Sequence, residues 1–350
     1  MKTNPIRQCV GIDISKDQFM ASFATLDEAF QVTIKSTKSF ANTLDGFEKM
    51  TRWISQLEHA QVTIHYVMEA TGVYYESLAY WLHEQGQSVS VILPKQFKAY
   101  ANSLNIKSKT DRIDARVLAQ MGLERSLPVW QPASPIMRQL KQLCREKNTL
   151  KEEKKALKNQ LHALTCSYLP NETTHQRLLR RLATVNELIR EVESELLATL
   201  QSDPRLAERI ENVCTIKGIG LMTALALIAE TNGFALFTSK AQLVCYAGYD
   251  VVKNESGTSV KNPTKISKRG NNHLRKALHF PALTAIRYEP RFQKVSERIT
   301  ERSSLKMKGV VAVQRKLLVL VYTLFKNNTP FEEQYESQKI IRQSPVLNPA

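Results

Sequence analysis

Two short apolar runs, each carrying a carboxylate, constrain this chain more than any other feature. Val10-Gly-Ile-Asp-Ile-Ser-Lys-Asp17 holds Asp13 within a β-branched segment that reads as a buried strand. Val62-Thr-Ile-His-Tyr-Val-Met-Glu69 is a second such run, ending on Glu69 with Ala-Thr-Gly directly behind it. A carboxylate inside an apolar strand is costly to bury alone, so Asp13 implies a cation or metal partner. The bland alternative is an Asp that merely caps a strand end.

Two further acids, Asp111 and Asp114, lie in Lys109-Thr-Asp-Arg-Ile-Asp-Ala-Arg116, at the head of a helical pattern. Their i, i+3 spacing puts both on one helix face, where they repel each other unless a cation intervenes. A solvated helix face would look the same. Taken together, Asp13, Glu69, Asp111 and Asp114 are hard oxygen ligands suited to Mg2+, with Mn2+ as the alternative. Two such ions roughly 3.5–4 Å apart can activate the attacking oxygen and stabilise the leaving oxygen in phosphodiester cleavage.

The surrounding pattern predicts an α/β domain over residues 1–127. Strands are expected at 8–14, 19–25 and 30–36, a helix at 43–57, a strand at 62–68, a helix at 74–85 and a strand at 88–93. One helical region then runs from Pro94 to about residue 124. This order predicts a mixed sheet with helices on its faces. An Asp on the first strand and a Glu after the fourth is how a ribonuclease-H-like domain places its metal ligands, an analogy of fold only.

Pro128, Pro132 and Pro135 mark a linker into a charged, Leu-rich segment over 134–202. Leu143, Leu150, Leu157 and Leu164 recur every seven residues; after a break at Pro170-Asn-Glu, Leu178, Leu182, Val185, Ile189, Val192 and Leu196 follow a 3.5-residue period. These coiled-coil seams can pair as a hairpin within one chain or across chains, and an exposed seam of this length favours a homodimer. Two ordinary bundle helices are the plainer alternative. Residues 205–330 form a mostly helical third unit, with 331–350 as a tail.

Charge is uneven. The formal net charge is +16, and residues 240–330 hold eighteen Lys or Arg against five Asp or Glu, which is +13 of that excess. Such a block is the footprint of a polyanion, and no basic amphipathic helix with an aromatic face suggests a membrane surface. The longest apolar stretch, Val310–Phe325, contains Gln314, Arg315 and Lys316, so it reads as a core helix. Five scattered cysteines show neither Cys-x-x-Cys nor zinc spacing, which suits a reducing compartment. With no signal peptide recognisable, the expectation is a soluble cytoplasmic protein.

Two segments point to phosphate chemistry. Val213-Cys-Thr-Ile-Lys-Gly-Ile-Gly220 is a Gly-x-Gly turn between helices, with Lys217 beside it, of the kind that lets backbone amides approach a phosphate. The long loop-like stretch 248–272 sets Ser256-Gly257 among Lys253, Lys261, Lys265, Lys268 and Arg269. A serine among cations can attack a phosphate, although Ser259 and Ser267 are equally available on chemistry alone and no general base is evident.

Four motifs carry a family resemblance: Val10-Gly-Ile-Asp-Ile-Ser-Lys-Asp17, Glu69-Ala-Thr-Gly-Val-Tyr74, Lys109-Thr-Asp-Arg-Ile-Asp-Ala-Arg116 and Ile266-Ser-Lys-Arg-Gly-Asn-Asn-His-Leu-Arg275. In this order and approximate spacing they resemble the DEDD transposases of the one-ten family of insertion sequences, relatives of the pilin-gene invertase. The resemblance runs from about residue 8 to 325. It implies a ribonuclease-H-like (RuvC-type) domain with Asp13, Glu69, Asp111 and Asp114 as its carboxylates, a coiled-coil dimerisation segment, and a C-terminal transposase domain whose nucleophilic serine matches Ser256. One departure is that Tyr249-Asp250-Val251 stands where the family tends to have Leu-x-Pro.

The resemblance further implies recombination of donor and target DNA guided by a structured bridge RNA, in a homodimer or dimer of dimers, within a prokaryotic cytoplasm at the nucleoid. Lys109, Arg112, Lys217, Arg275 and the cations of the serine loop are the expected nucleic-acid contacts. Two other classes stay open: a Mg-dependent, junction-resolving nuclease that uses the acidic site alone with water, and a non-enzymatic nucleic-acid scaffold with a degenerate metal site.

Overall fold

The structure is a computed structural model; it describes residues 5–70, 72–106, 108, 110–235, 237–252, 255–256, 260–261, 264–303 and 305–332. The chain divides into two compact units, Met1–Pro132 and Ala133–Ala350.

In the first unit, β1 (Arg7–Ile14), β2 (Gln18–Leu26) and β3 (Val32–Ala41) form an antiparallel meander, followed by α1 (Leu44–Ile54), β4 (Ile64–Glu69), α2 (Glu76–Glu84), β5 (Ser88–Ile92), α3 (Pro94–Ser103) and α4 (Asp111–Glu124). The sheet order is β3-β2-β1-β4-β5, with β4 and β5 parallel to β1. This is the mixed five-stranded sheet expected of a ribonuclease-H-like domain. The apolar run of β1 fits the centre of such a sheet because both of its faces are covered: Cys9, Val10 and Ile12 have no exposed surface.

Strand alternation sorts the two layers. Val10, Ile12, Tyr66 and Met68 pack with Phe47 and Met50 of α1 and Leu78 and Leu82 of α2. On the opposite face, Cys9 and Val67 pack with Phe97 and Tyr100 of α3 and Leu118 of α4. The single helical region expected from Pro94 onward is two helices: Asn105 at φ 56° follows the end of α3, and Thr110 starts α4 as its N-cap.

α4 lies unusually close to the sheet. A Cβ on Gly11 would stand 2.1 Å from the Ala119 nitrogen and 2.2 Å from the Ala115 oxygen. A Cβ on Gly122 would meet the Cys9 Sγ at 2.4 Å and the Val67 Cγ2 at 2.7 Å. The two glycines let helix backbone and strand backbone approach where side chains would hold them apart.

In the second unit, α5 (Pro135–Thr165) and α6 (Glu172–Gln201) form a long hairpin whose return is capped by Asn171, its Oδ1 accepting from the Thr174 amide at 2.9 Å. Leu150, Leu157, Leu178, Leu182, Val185 and Ile189 pack together along it. The seam therefore closes within the chain. Of the two pairings expected, the hairpin within one chain is the one these residues form. Lys147 lies within that seam, 6% exposed, and its ammonium reaches Glu193 of the facing helix at 2.9 Å.

The base of the hairpin shares one core with the helices that follow: Leu140, Leu143, Val192 and Leu196 pack with Ile210, Leu225 and Leu317. Those helices are α7 (Pro204–Cys214), α8 (Leu221–Glu230), α9 (Lys240–Tyr246), α10 (Asn272–Ala277), α11 (His279–Tyr288), α12 (Pro290–Ser303) and α13 (Lys306–Asn327). Val313, Leu317, Leu318 and Val321 of α13 are fully buried, as expected of a core helix. Among the described residues, no helix is long and apolar enough to cross a membrane.

The stretch expected to be one long loop contains two short antiparallel ladders. β6 (Val251–Val252) pairs with β9 (Lys265–Ile266), and β7 (Glu255–Ser256) pairs with β8 (Val260–Lys261). The register pairs Ser256 with Val260 and Val251 with Ile266. Neither run has the length or alternation that makes a strand visible in sequence.

Candidate active site

The four acids come from three elements, and local rules place each of them. β1 and β4 are parallel neighbours with Ile12 opposite Met68, so Asp13 and Glu69 extend from adjacent strands at the same end of the sheet. Alternation puts Asp13 on the face of Cys9 and Gly11, and Glu69 on the face of Val67, which is the face α4 covers. Asp111 opens α4 and Asp114 lies in its first turn. Thr110 caps that helix, its Oγ1 accepting from the Ile113 amide at 3.2 Å. Negative side chains in a first turn also suit the positive end of the helix dipole.

Asp13, Glu69, Asp111 and Asp114 line one pocket of about 270 Å³, together with Ser15, Gln18 and Ser39. Exposure grades across it: Asp114 is buried at 9%, Asp13 and Glu69 are half-buried, and Asp111 is exposed. Such a donor set, all oxygen and mostly anionic, matches a hard divalent cation. The carboxylates are not drawn into a tight cluster, since no three acid, His or Cys side chains among the described residues converge as a ready-made metal site.

Asn42 carries no sequence signal of a role at this site. Its Nδ2 donates to the Ser15 and Tyr74 carbonyl oxygens, each at 3.1 Å, which ties the β1–β2 turn to the segment behind Glu69. Asn is ordinary turn chemistry, so only the fold makes it a brace for the pocket rim.

The expected nucleic-acid contacts divide. Arg112, Lys265, Lys268 and Arg269 are exposed. Lys217 is engaged, with its ammonium 3.9 Å from the buried carboxylate of Glu289. Arg275 turns inward: its Nη1 donates to the Ala247 oxygen at 2.7 Å and the Gly270 oxygen at 3.3 Å, closing the end of α9. In this placement one guanidinium nitrogen serves backbone carbonyls. Gly218, at φ 97°, faces α11, where a Cβ would meet the Pro281 oxygen at 2.7 Å. The turn glycine thus serves helix packing.

Lys109, Lys253 and Ser259 lie outside the described residues, while Ser256 and Lys261 are described by their backbone strands alone. Ser267, the third candidate serine, donates its hydroxyl hydrogen bond to the Asp250 carboxylate and accepts one from the Arg269 amide.

Similarity to known proteins is specific. Residues 10–170 match the transposase model of DEDD IS110 type, and residues 210–297 match the transposase model of the IS116/IS110/IS902 family. The chain is 31% identical over 330 residues to the pilin gene-inverting protein of Moraxella lacunata, covering 93% of this chain and 98% of that one. It belongs to the IS110 transposase family. The transposase is also 31% identical over 330 residues to the pilin gene-inverting protein of Moraxella bovis.

Family membership makes the protein a DNA transposase/recombinase. The four acids all fall within the first matched segment, and Ser256 falls within the second. Among solved structures, the Thermus thermophilus RuvC structure overlaps 35% of this chain and 99% of its own, at 11% identity and a TM-score of 0.27. An overlap that low carries no weight beside the family match.

Proposed function

We propose that this transposase cuts and rejoins DNA at a composite site, in which the carboxylates of Asp13, Glu69, Asp111 and Asp114 meet a serine nucleophile, Ser256. The reading rests above all on the shared pocket: four acids from β1, β4 and α4 surround one space in a chain of this family. Those four would hold Mg2+ or Mn2+, which when bound supplies Lewis-acid stabilisation of the phosphate oxygens. Asp114 at the floor and Asp111 at the rim would fix the depth at which a scissile phosphate rests.

The Ser256 hydroxyl attacks phosphorus, forming a Ser–O–P bond as the bond to one deoxyribose oxygen breaks; the leaving alkoxide takes up a proton and the serine proton departs. A hydroxyl from another strand then reverses the step. Each exchange replaces one phosphate ester with another, so rejoining needs no ATP. Lys253, Lys261, Lys265, Lys268 and Arg269 would neutralise phosphates near the serine, with Arg112 doing so beside the acids and Lys109 alongside it.

The same reading includes a structured guide RNA as partner and a homodimer or dimer of dimers, in which one protomer's acids meet another's serine. Its support is the family resemblance of the motifs.

The experiment is a trapped-adduct assay with full-length protein, magnesium and donor DNA. Protein covalently bound to cut DNA is expected, with loss of the adduct in Ser256→Ala. Cleavage that persists in Ser256→Ala would sink the serine step and favour a hydrolytic nuclease using the acids alone. Co-purification with a discrete RNA, lost on ribonuclease treatment together with DNA selectivity, tests the guide.

A further inference from the structure

The outward face of α11 is chemically unusual for a solvated helix. Pro281, Ala282 and Ala285 face the core, while Phe280 is 75% exposed, Tyr288 58% and Leu283 42%. The Arg287 guanidinium stacks on the Tyr288 ring at 5.3 Å, and the His279 ring meets Phe280 edge-on at 5.4 Å. Two aromatic rings and a leucine thus form a patch that the described residues leave exposed.

Its border identifies the occupant. α11 contains no Asp or Glu, and residues 268–302 hold nine Lys or Arg against three Asp or Glu. On the adjoining α12, Lys294, Arg298 and Arg302 recur every four residues, on one side of the helix. Aromatic rings interleaved with cations, beside a row of cations, are what an unpaired strand requires: rings stack on bases while cations follow phosphates. Paired bases are already stacked on one another and leave no face for a ring.

We propose that the α11 face, centred on Phe280 and Tyr288, is a stacking platform for single-stranded DNA. The inference rests on the strand-transfer reading, because a cleaved strand must leave its old complement before it pairs with a new one. The platform holds that strand during the interval, with α12 along its backbone.

The test is fluorescence anisotropy on the full chain without metal, using an oligothymidine, an oligouridine and a duplex DNA of equal length, about 20 nucleotides each. Phe280→Ala and Tyr288→Ala should each weaken oligothymidine binding about ten-fold and leave duplex binding nearly unchanged. Phe280→Trp should retain the affinity. Both rings are largely exposed, so the variants should keep the parent's melting temperature.

Unchanged oligothymidine affinity in the double variant overturns the platform, as does an equal loss on duplex. A greater loss on oligouridine assigns the face to RNA and overturns the DNA reading. Loss of self-association with oligothymidine affinity intact makes the face a protein contact and likewise overturns the platform. The two readings fail separately, since Asp13→Asn tests strand cutting without touching α11.

Discussion

Arg145 of the hairpin and Glu230 at the end of α8 are joined by two parallel hydrogen bonds, Nε to Oε1 at 2.7 Å and Nη2 to Oε2 at 3.1 Å. Asn271 adds a third, its Nδ2 donating to Oε2 at 2.8 Å, while its Oδ1 caps α10. One buried carboxylate thus fastens the hairpin to the residues directly behind the serine-bearing segment.

Burial pushes the Glu230 carboxyl up, but the hydrogen bonds from Arg145 and Asn271, together with the positive charges of Arg145 and Lys141, outweigh it and hold the group below its ordinary value of 4.5. Its contribution to stability is therefore complete above pH 4.5 and fades as pH falls through the lower folded value. Glu230→Ala should lower stability by about 2 kcal/mol at neutral pH, with Arg145 half exposed and able to find water. Denaturant melts across pH should show that difference shrinking in acid; a constant difference would contradict it.

Gly11→Ala should damage the acidic site without touching an acid. The new Cβ meets backbone, which cannot rotate away, so α4 must shift outward with Asp111 and Asp114. A loss of about 3 kcal/mol or more is expected, together with loss of magnesium-dependent cutting. Calorimetry and the adduct assay read the two effects, and normal cutting in a folded variant would refute the close-packing account.

Asp13→Asn and Asp114→Asn should abolish cutting yet leave metal-free melting unchanged or raised, because one like charge leaves the pocket. The parent should gain about 2.7 kcal/mol at magnesium a hundred-fold above its dissociation constant, and the variants little. Equal stabilisation of parent and variants by magnesium would place the ion elsewhere.

Lys147→Leu should melt no lower than the parent. Glu193, at 37% exposure, can turn to water, while the leucine joins an apolar seam. A buried polar residue in a seam sets register and oligomeric state, so the variant should self-associate more. Sedimentation at several concentrations would show it; an unchanged mass would remove that role from Lys147.

Much of the first unit is legible in the chain. β1 is an apolar run with Asp13 inside it, β4 is one that ends on Glu69, and Thr110 before Asp111 marks a helix start. The acids are visible as candidates because a carboxylate in an apolar strand is conspicuous. The break between α3 and α4 is not, since Asn105 ends α3 through a backbone angle and not through Pro or Gly.

Cations are the weakest signal. Arg275 and Arg269 look alike in sequence, yet one closes carbonyls of α9 and the other faces solvent. Heptads likewise record that a seam exists without saying which helix fills it.

β1 is bonded to β2 along its whole length and to β4 on its other side from Gln8 to Ile12. Its amides should therefore exchange with solvent only when the entire first unit opens, later than those of the edge strand β3. Asp13 rides on the slowest-opening segment of that unit, so heat or denaturant that frays its periphery would leave the carboxylate's anchor the last to be released.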